Sequence, residues 1–344
     1  MKKHLNTLFL TKPGSYIHRE RETLVVEMDK VKVLQLPVHT LESIVCMSNE
    51  ITLTSGLMQL CSEHNITLAF YDDNGRFISR LEGPIKGNIL LRKEQYRKCG
   101  EDKESLKAAK FMVCAKITNS KTAVHRCMRN YPGHEDINEL ERIYSSLNDI
   151  LCKAKIAANH DELMGYEGEA SVFYFKAFNY MLTTKDSIFQ FKNRNRRPPL
   201  DPINALLSFS YTLLMHDSLS ALEGVGLDPA SGFLHKDRPG RMSLALDIME
   251  EFRSYLCDRL VLSLINLNQV KSSDFTKTES GAVKMSDDAK KILISAYQKR
   301  KQDEIMHPFI EEKTTIGMLL HIQARLLSRY IRGDYEFYPA FIVK

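Results

Sequence analysis

Gly83-Pro84-Ile85-Lys86-Gly87-Asn88 is the stretch on which the fold turns, because the apolar pattern differs on its two sides. Before it, Thr23-Leu24-Val25-Val26-Glu27, Val31-Lys32-Val33-Leu34-Gln35-Leu36 and Ser43-Ile44-Val45-Cys46 are β-branched runs divided by turn residues, the signature of short strands. The spacing of Ser55-Gly56-Leu57-Met58-Gln59-Leu60-Cys61 predicts one helix, Ile66-Thr67-Leu68-Ala69-Phe70 returns to strand, and Asp73-Asn74-Gly75 reads as a hairpin turn. After it, long segments carry helical period. The expectation is an α+β chain, a small N-terminal β-rich domain over residues 1–84 followed by a larger all-helical domain over 88–344. Within the second part, Asp201-Pro202 supplies an N-cap and a first-turn proline for a helix through Leu222, which Gly224 or Gly226 can end.

The 344 residues suffice for two cores, and an apolar fraction of 43% with 26% charged residues excludes disordered and fibrous classes. A net charge of +5 permits a polyanionic partner without requiring one. The 7 cysteines include no CxxC, which argues against a disulfide framework or zinc ribbon and for a reducing, cytoplasmic setting. Lys12-Pro13-Gly14 ends the first apolar run too early for a signal peptide, and no charge-free run approaches the roughly eighteen residues of a membrane span. P-loop and GxSxG patterns are absent, so nucleotide hydrolysis and serine chemistry lose support.

Three constellations carry chemistry. Gly165-Tyr166-Glu167-Gly168-Glu169-Ala170 opens an apolar helix on which Glu167 shares a stripe with Ala170, Ser171, Tyr174, Phe178 and Met181, while Glu169 points towards Lys176. A carboxylate on an apolar stripe must be protonated, paired or metal-bound; the competing reading is a first-turn glutamate favoured by the helix dipole. Next, the loop Gly232-Phe233-Leu234-His235-Lys236-Asp237-Arg238-Pro239-Gly240-Arg241 precedes a helix with Asp247 and Glu250 on one face. Imidazole with carboxylates suits Mg²⁺ or Mn²⁺, and the competing reading is an acid-faced solvated helix beside a structural histidine. Third, Lys192-Asn193-Arg194-Asn195-Arg196-Arg197-Pro198-Pro199 is a basic run held extended by its prolines. Arg194, Arg196, Arg197, Lys236, Arg238 and Arg241 are candidate phosphate contacts, unless the run is a solvated loop. His216-Asp217 reads as a satisfied pair inside a helix, and His160-Asp161-Glu162-Leu163 is a retrieval signal in letters only.

In order and spacing, Gly165–Ala170, Gly232–His235 and Leu246-Asp247-Ile248-Met249-Glu250-Glu251-Phe252-Arg253 resemble the integrase family of CRISPR adaptation, the first-numbered CRISPR-associated endonuclease. Asn195–Asp201 and His235–Arg241 look like its type I-C branch. The resemblance implies that Glu167, His235 and Asp247 are catalytic and hold Mg²⁺ or Mn²⁺, with Glu250 at the family's additional acidic position. It further implies a homodimer with a small ferredoxin-like partner protein, acting on double-stranded DNA fragments and the CRISPR repeat by 3′-hydroxyl attack on a phosphodiester. A non-catalytic DNA-binding scaffold is the alternative, in which the acids are incidental.

Overall fold

The computed structural model describes residues 7–41, 43–64, 66–72, 77–81, 89–131, 133, 135–184, 186–195 and 198–343. The chain divides into two compact units, 1–86 and 87–344, and the turn expected at Asp73-Asn74-Gly75 lies outside the described residues.

The first unit is β-rich. Its strands are β1 (Thr7–Leu10), β2 (Tyr16–Glu20), β3 (Thr23–Met28), β4 (Val31–Pro37), β5 (Ser43–Cys46), β6 (Thr52–Leu53), β7 (Thr67–Tyr71) and β8 (Phe77–Leu81), with helix α1 (Ser55–Glu63) between β6 and β7. They form two sheets, ordered β4-β3-β2-β6 and β1-β5-β7-β8. Asp29 and Lys30, both at positive φ, make the two-residue connection that matches the twist of β3 and β4. The Thr54 side chain caps α1 by accepting from Leu57 N. Ile17, Leu24, Ile44, Leu57, Leu60 and Leu68 fill one core, and β5 is buried along its whole length, as its unbroken Ile-Val-Cys run requires. The sequence pattern did not mark β1 or β2, since His18 and Arg19 dilute the apolar alternation of the latter.

The second unit is mainly helical: α2 (Ile89–Gly100), α3 (Asp102–Asn130), α4 (Ile137–Ile156), α5 (His160–Phe178), α6 (Pro202–Gly224), α7 (Ser243–Met249), a π-helical turn (Arg253–Asp258), α8 (Arg259–Asn266), α9 (Asp287–Gln302) and α10 (Ile316–Arg332). It is not all-helical. The hairpins β9 (Phe275–Lys277) with β10 (Val283–Met285), and β11 (Glu304–Met306) with β12 (Lys313–Thr315), interrupt it. Each strand is three residues long, too short for alternation to show in the sequence.

Helices α3, α4 and α5 pack on one another, and α6 is the central helix, buried on most of its surface and touching α7, the π turn, α8, α9 and α10. Asp201 caps α6 by accepting from Asn204 N, Pro202 occupies its first turn, and Gly226 follows its end at φ 84°. Asp217 on α6 accepts from Tyr297 at 2.9 Å and pairs with Lys301 at 2.8 Å, so the acid of the His216-Asp217 pair is satisfied within the helical core. His160 to Leu163 forms the first turn of α5, capped by Asn159. The 7 cysteines are free thiols, and among the described residues no helix is long and apolar enough to cross a membrane.

Candidate active site

Helix α5 starts at His160, so Glu167 lies beyond its first turn and the dipole explanation for that acid fails. Its carboxylate, 17% exposed, is held by Ser171, whose hydroxyl donates to Oε1 at 3.1 Å, as the stripe predicted. It also receives the ammonium of Lys116 from α3. That ammonium lies 2.8 Å from Glu250 Oε2, while Arg253 Nη2 lies 3.0 Å from Glu250 Oε1. Burial would raise the Glu250 carboxyl, but Arg253 and Lys116 outweigh it and lower its pKa to about 2. Burial likewise opposes the charge on Lys116, and Glu250 and Glu167 overcome it, so its pKa is raised. Lys116 is therefore a cation clasped by two carboxylates contributed by distant segments.

His235 and Asp247 form the adjoining half. Asp247 is fully buried and accepts four hydrogen bonds: Oδ2 from Phe233 N at 2.6 Å and Leu234 N at 2.9 Å, Oδ1 from His235 N at 3.0 Å and His235 Nδ1 at 2.6 Å. Four donors fill the acceptor positions of a carboxylate. Asp247, expected among the metal ligands, thus faces the loop that carries His235 and fixes its tautomer, leaving Nε2 with its lone pair. Gly232 makes the loop possible, since a Cβ there would meet Asp247 Oδ2 at 2.7 Å and the Ser243 backbone at 2.8 Å.

A cavity of about 490 Å³ opens beside Glu167 and Lys116, walled by Phe175, Lys176, Lys192, Arg194 and Arg253 among others. Arg194 is not poised as a simple phosphate contact. Its Nη1 donates to Asn204 Oδ1 at 2.6 Å and Asn195 O at 2.5 Å, and its Nη2 to Ser208 at 3.1 Å. These bonds fasten the basic run to α6, where Asn204 and Ser208 are one turn apart. Arg196 and Arg197 lie outside the described residues. Lys236 and Arg238 are exposed, with Lys236 3.8 Å from Asp161, and Arg241 is half-buried.

Lys116 and Arg253 were missed as site residues. Lys116 is in helical phase with buried Ala109, Met112, Val113 and Ser120, the signal that would have singled it out. Arg253 stands in the recognised motif, but its insertion depends on the π turn, which buries Arg253 against the Tyr211 ring at 4.8 Å.

Residues 8–299 match the family described as CRISPR associated protein Cas1. The chain belongs to the Cas1 family. It is 48% identical over 342 residues to CRISPR-associated endonuclease Cas1 1 of Chlorobaculum tepidum, covering 99% of each chain. It is 44% identical over 351 residues to a Cas1 endonuclease of Rhodospirillum rubrum, covering 100% of each. Its enzymatic class is accordingly that of a Cas1 endonuclease. The fold is also that of a casposase bound to integration product, with TM-score 0.84 and 24% identity over 98% of this chain and 94% of the other. A Cas1 protein from Thermotoga maritima matches with TM-score 0.81 and 23% identity over 98% of this chain and 100% of that one.

Proposed function

We propose that this Cas1 chain is the metal-dependent nuclease and integrase of CRISPR adaptation, with Glu167, His235 and Glu250 holding one Mg²⁺ or Mn²⁺ ion and Asp247 positioning His235. The observation that carries this reading is the convergence of Glu167 and Glu250 on a single cation, Lys116. A site that already gathers two carboxylates around an ammonium has the charge and donor chemistry for a hard divalent ion. Glu250 Oε2 strengthens the fit: this buried oxygen faces the Lys116 ammonium at 2.8 Å, a cation in the place where a divalent ion would take it. The described residues as they stand form no ready cluster of three His, Cys, Asp or Glu ligands, and Lys116 lies between the two glutamates that must approach.

When bound, the ion would polarise the scissile phosphodiester and neutralise the charge that develops on it. His235, held through Nδ1 by Asp247, presents Nε2 as a ligand. Arg253 stays on the far oxygen of Glu250 and keeps that carboxylate ionised. Lys176 and Lys192 on the cavity wall, with exposed Lys236 and Arg238, supply positive charge for the DNA backbone. In joining, the 3′-oxygen of the incoming fragment forms a bond to phosphorus as the bond to the repeat's own 3′-oxygen breaks. The attacking hydroxyl loses a proton and the departing oxygen gains one, so no nucleotide energy source enters; in hydrolysis water takes the attacking place.

The reading extends to double-stranded DNA fragments and the CRISPR repeat as substrates, a small ferredoxin-like partner protein, a homodimer and the type I-C branch. Solved structures of similar fold include a Cas6-RT-Cas1–Cas2 complex, which supports a protein partner of the Cas2 kind. Edge strand β4 exposes Val31 (64%) and Val33 (57%), which supports the β-rich unit as the dimerisation surface.

The test incubates the protein and its small partner with labelled 3′-hydroxyl duplexes, a repeat-containing supercoiled plasmid and Mn²⁺. Label transfer by the parent, and none by Glu167→Ala or His235→Ala, is the expected result. Equal transfer by all three would dismiss the site, and DNA binding without transfer by any would favour a scaffold.

A further inference from the structure

Within the site, two cations and two carboxylates balance: Lys116 and Arg253 against Glu167 and Glu250. The two cations are not equivalent. Arg253 engages Glu250 Oε1, and its guanidinium lies 4.8 Å from the Tyr211 ring centroid. Lys116 engages the other Glu250 oxygen together with Glu167, so of these two cations it is the one between the side chains that a divalent ion would have to share. Its side chain is 13% exposed, borders the cavity, and ends a flexible four-carbon stem.

Adding a divalent ion while Lys116 stays in place would put like charges within a few ångströms in a poorly solvated site. At short range in such a site that repulsion favours swinging the flexible lysine stem away over keeping both cations together. We infer that Lys116 is a built-in counter-ion of the metal-free protein, which a divalent cation must displace from Glu167 and Glu250 into the adjoining cavity. The inference rests on the metal site proposed above. It assigns Lys116 two consequences: it stops the two acids from repelling each other before metal arrives, and it weakens metal binding by the work of its own displacement. A lysine that merely held the two carboxylates in position would do the reverse, and its removal would loosen the metal.

The experiment measures Mn²⁺ binding to the full chain by titration calorimetry and by the electron paramagnetic resonance signal of free Mn²⁺, for the parent, Lys116→Met and Glu167→Ala. Lys116→Met keeps the stem and removes the charge. It is expected to bind Mn²⁺ tighter, on the order of tenfold, while melting below the parent in EDTA and gaining more in melting temperature from Mn²⁺. Equal or weaker Mn²⁺ binding by Lys116→Met, with a parent site that Glu167→Ala abolishes, overturns the counter-ion role and leaves the metal site standing. No Mn²⁺ site in the parent overturns both.

A second measurement needs no variant. Amine acetylation of the parent, followed residue by residue by mass spectrometry, is expected to rise several-fold at Lys116 in Mn²⁺ relative to EDTA, with exposed Lys236 as the internal reference. Unchanged or diminished labelling of Lys116 in saturating Mn²⁺ would overturn the inference even if Lys116→Met failed to fold.

Discussion

Glu250 and Glu251 are consecutive and both buried, yet their surroundings drive them in opposite directions. Glu250 lies between Lys116 and Arg253, and its pKa falls to about 2. Among the described residues Glu251 faces only neutral donors: Phe341 N at 2.6 Å, Tyr338 OH at 2.8 Å and Gln323 Nε2 at 3.1 Å. Burial there dominates those hydrogen bonds and raises its pKa to about 8. The neutral network is fully oriented. His307 Nδ1 accepts from Phe309 N and Ile310 N, so its Nε2–H donates to Gln323 Oε1 and turns the Gln323 amide towards Glu251, Tyr338 and Pro339. Asn119 donates to the carbonyls of Glu251 and Phe341 at 2.8 Å each and accepts from Val343 N at 2.9 Å, binding the last residues of the chain into the same core. One glutamate is kept charged between two cations, while its neighbour anchors the C-terminal segment.

The largest effect should come from attacking the charged half. Glu250→Ala leaves Lys116 and Arg253 buried beside a single carboxylate, and chemical denaturation should show a loss of about 3–5 kcal/mol along with loss of DNA nicking. A loss no larger than that of Glu251→Gln would break the contrast between the two acids.

Asp247→Asn tests a third buried acid, which is satisfied by backbone donors and His235. An amide cannot accept from all four donors, so Mn²⁺-dependent nicking should fall roughly 10–100-fold. Nicking at the parent rate would mean that His235 needs no such hold.

Glu251→Gln should cost about 1 kcal/mol at neutral pH, because an amide can serve most of a neutral network. Its pH dependence sharpens the comparison. With the folded-state pKa raised from 4.5 to about 8, the folded chain binds a proton that the unfolded chain has released across that window, so this group's contribution falls as pH rises through it. The melting-temperature gap between parent and Glu251→Gln should therefore narrow or reverse from pH 6 to pH 9. Glu250 has the opposite sign: its contribution is present above 4.5 and is lost as pH falls towards 2. A gap independent of pH would show that Glu251 is charged throughout.

The smallest effect belongs to the exposed loop. Lys236→Ala with Arg238→Ala should leave stability within about 0.5 kcal/mol while weakening duplex binding and reducing its salt dependence by up to about one unit for each phosphate no longer neutralised. Filter binding across a salt series reads this directly, and an unchanged slope would remove both residues from the DNA surface.

Local signals carried much of the fold. The β-branched runs before Gly83, the Asp201 cap and the Gly226 stop each act through neighbouring residues, so sequence alone determined those strands, the ends of α6 and the change from strand to helix. The residue types of the three motifs likewise marked Glu167, His235, Asp247 and Glu250 as the candidates and led to the Cas1 family. Local pattern could not show that the second unit holds two three-residue hairpins, whose pairing partners lie several residues away. Nor could it show which acid meets which base. Lys116 reaches Glu167 from 51 residues away, and Glu251 meets Phe341 from 90. Coulomb energy and desolvation depend on distance and burial in space, so identical carboxyl groups one residue apart acquire opposite protonation behaviour only after α3, α5, the π turn and the C-terminal segment have packed together.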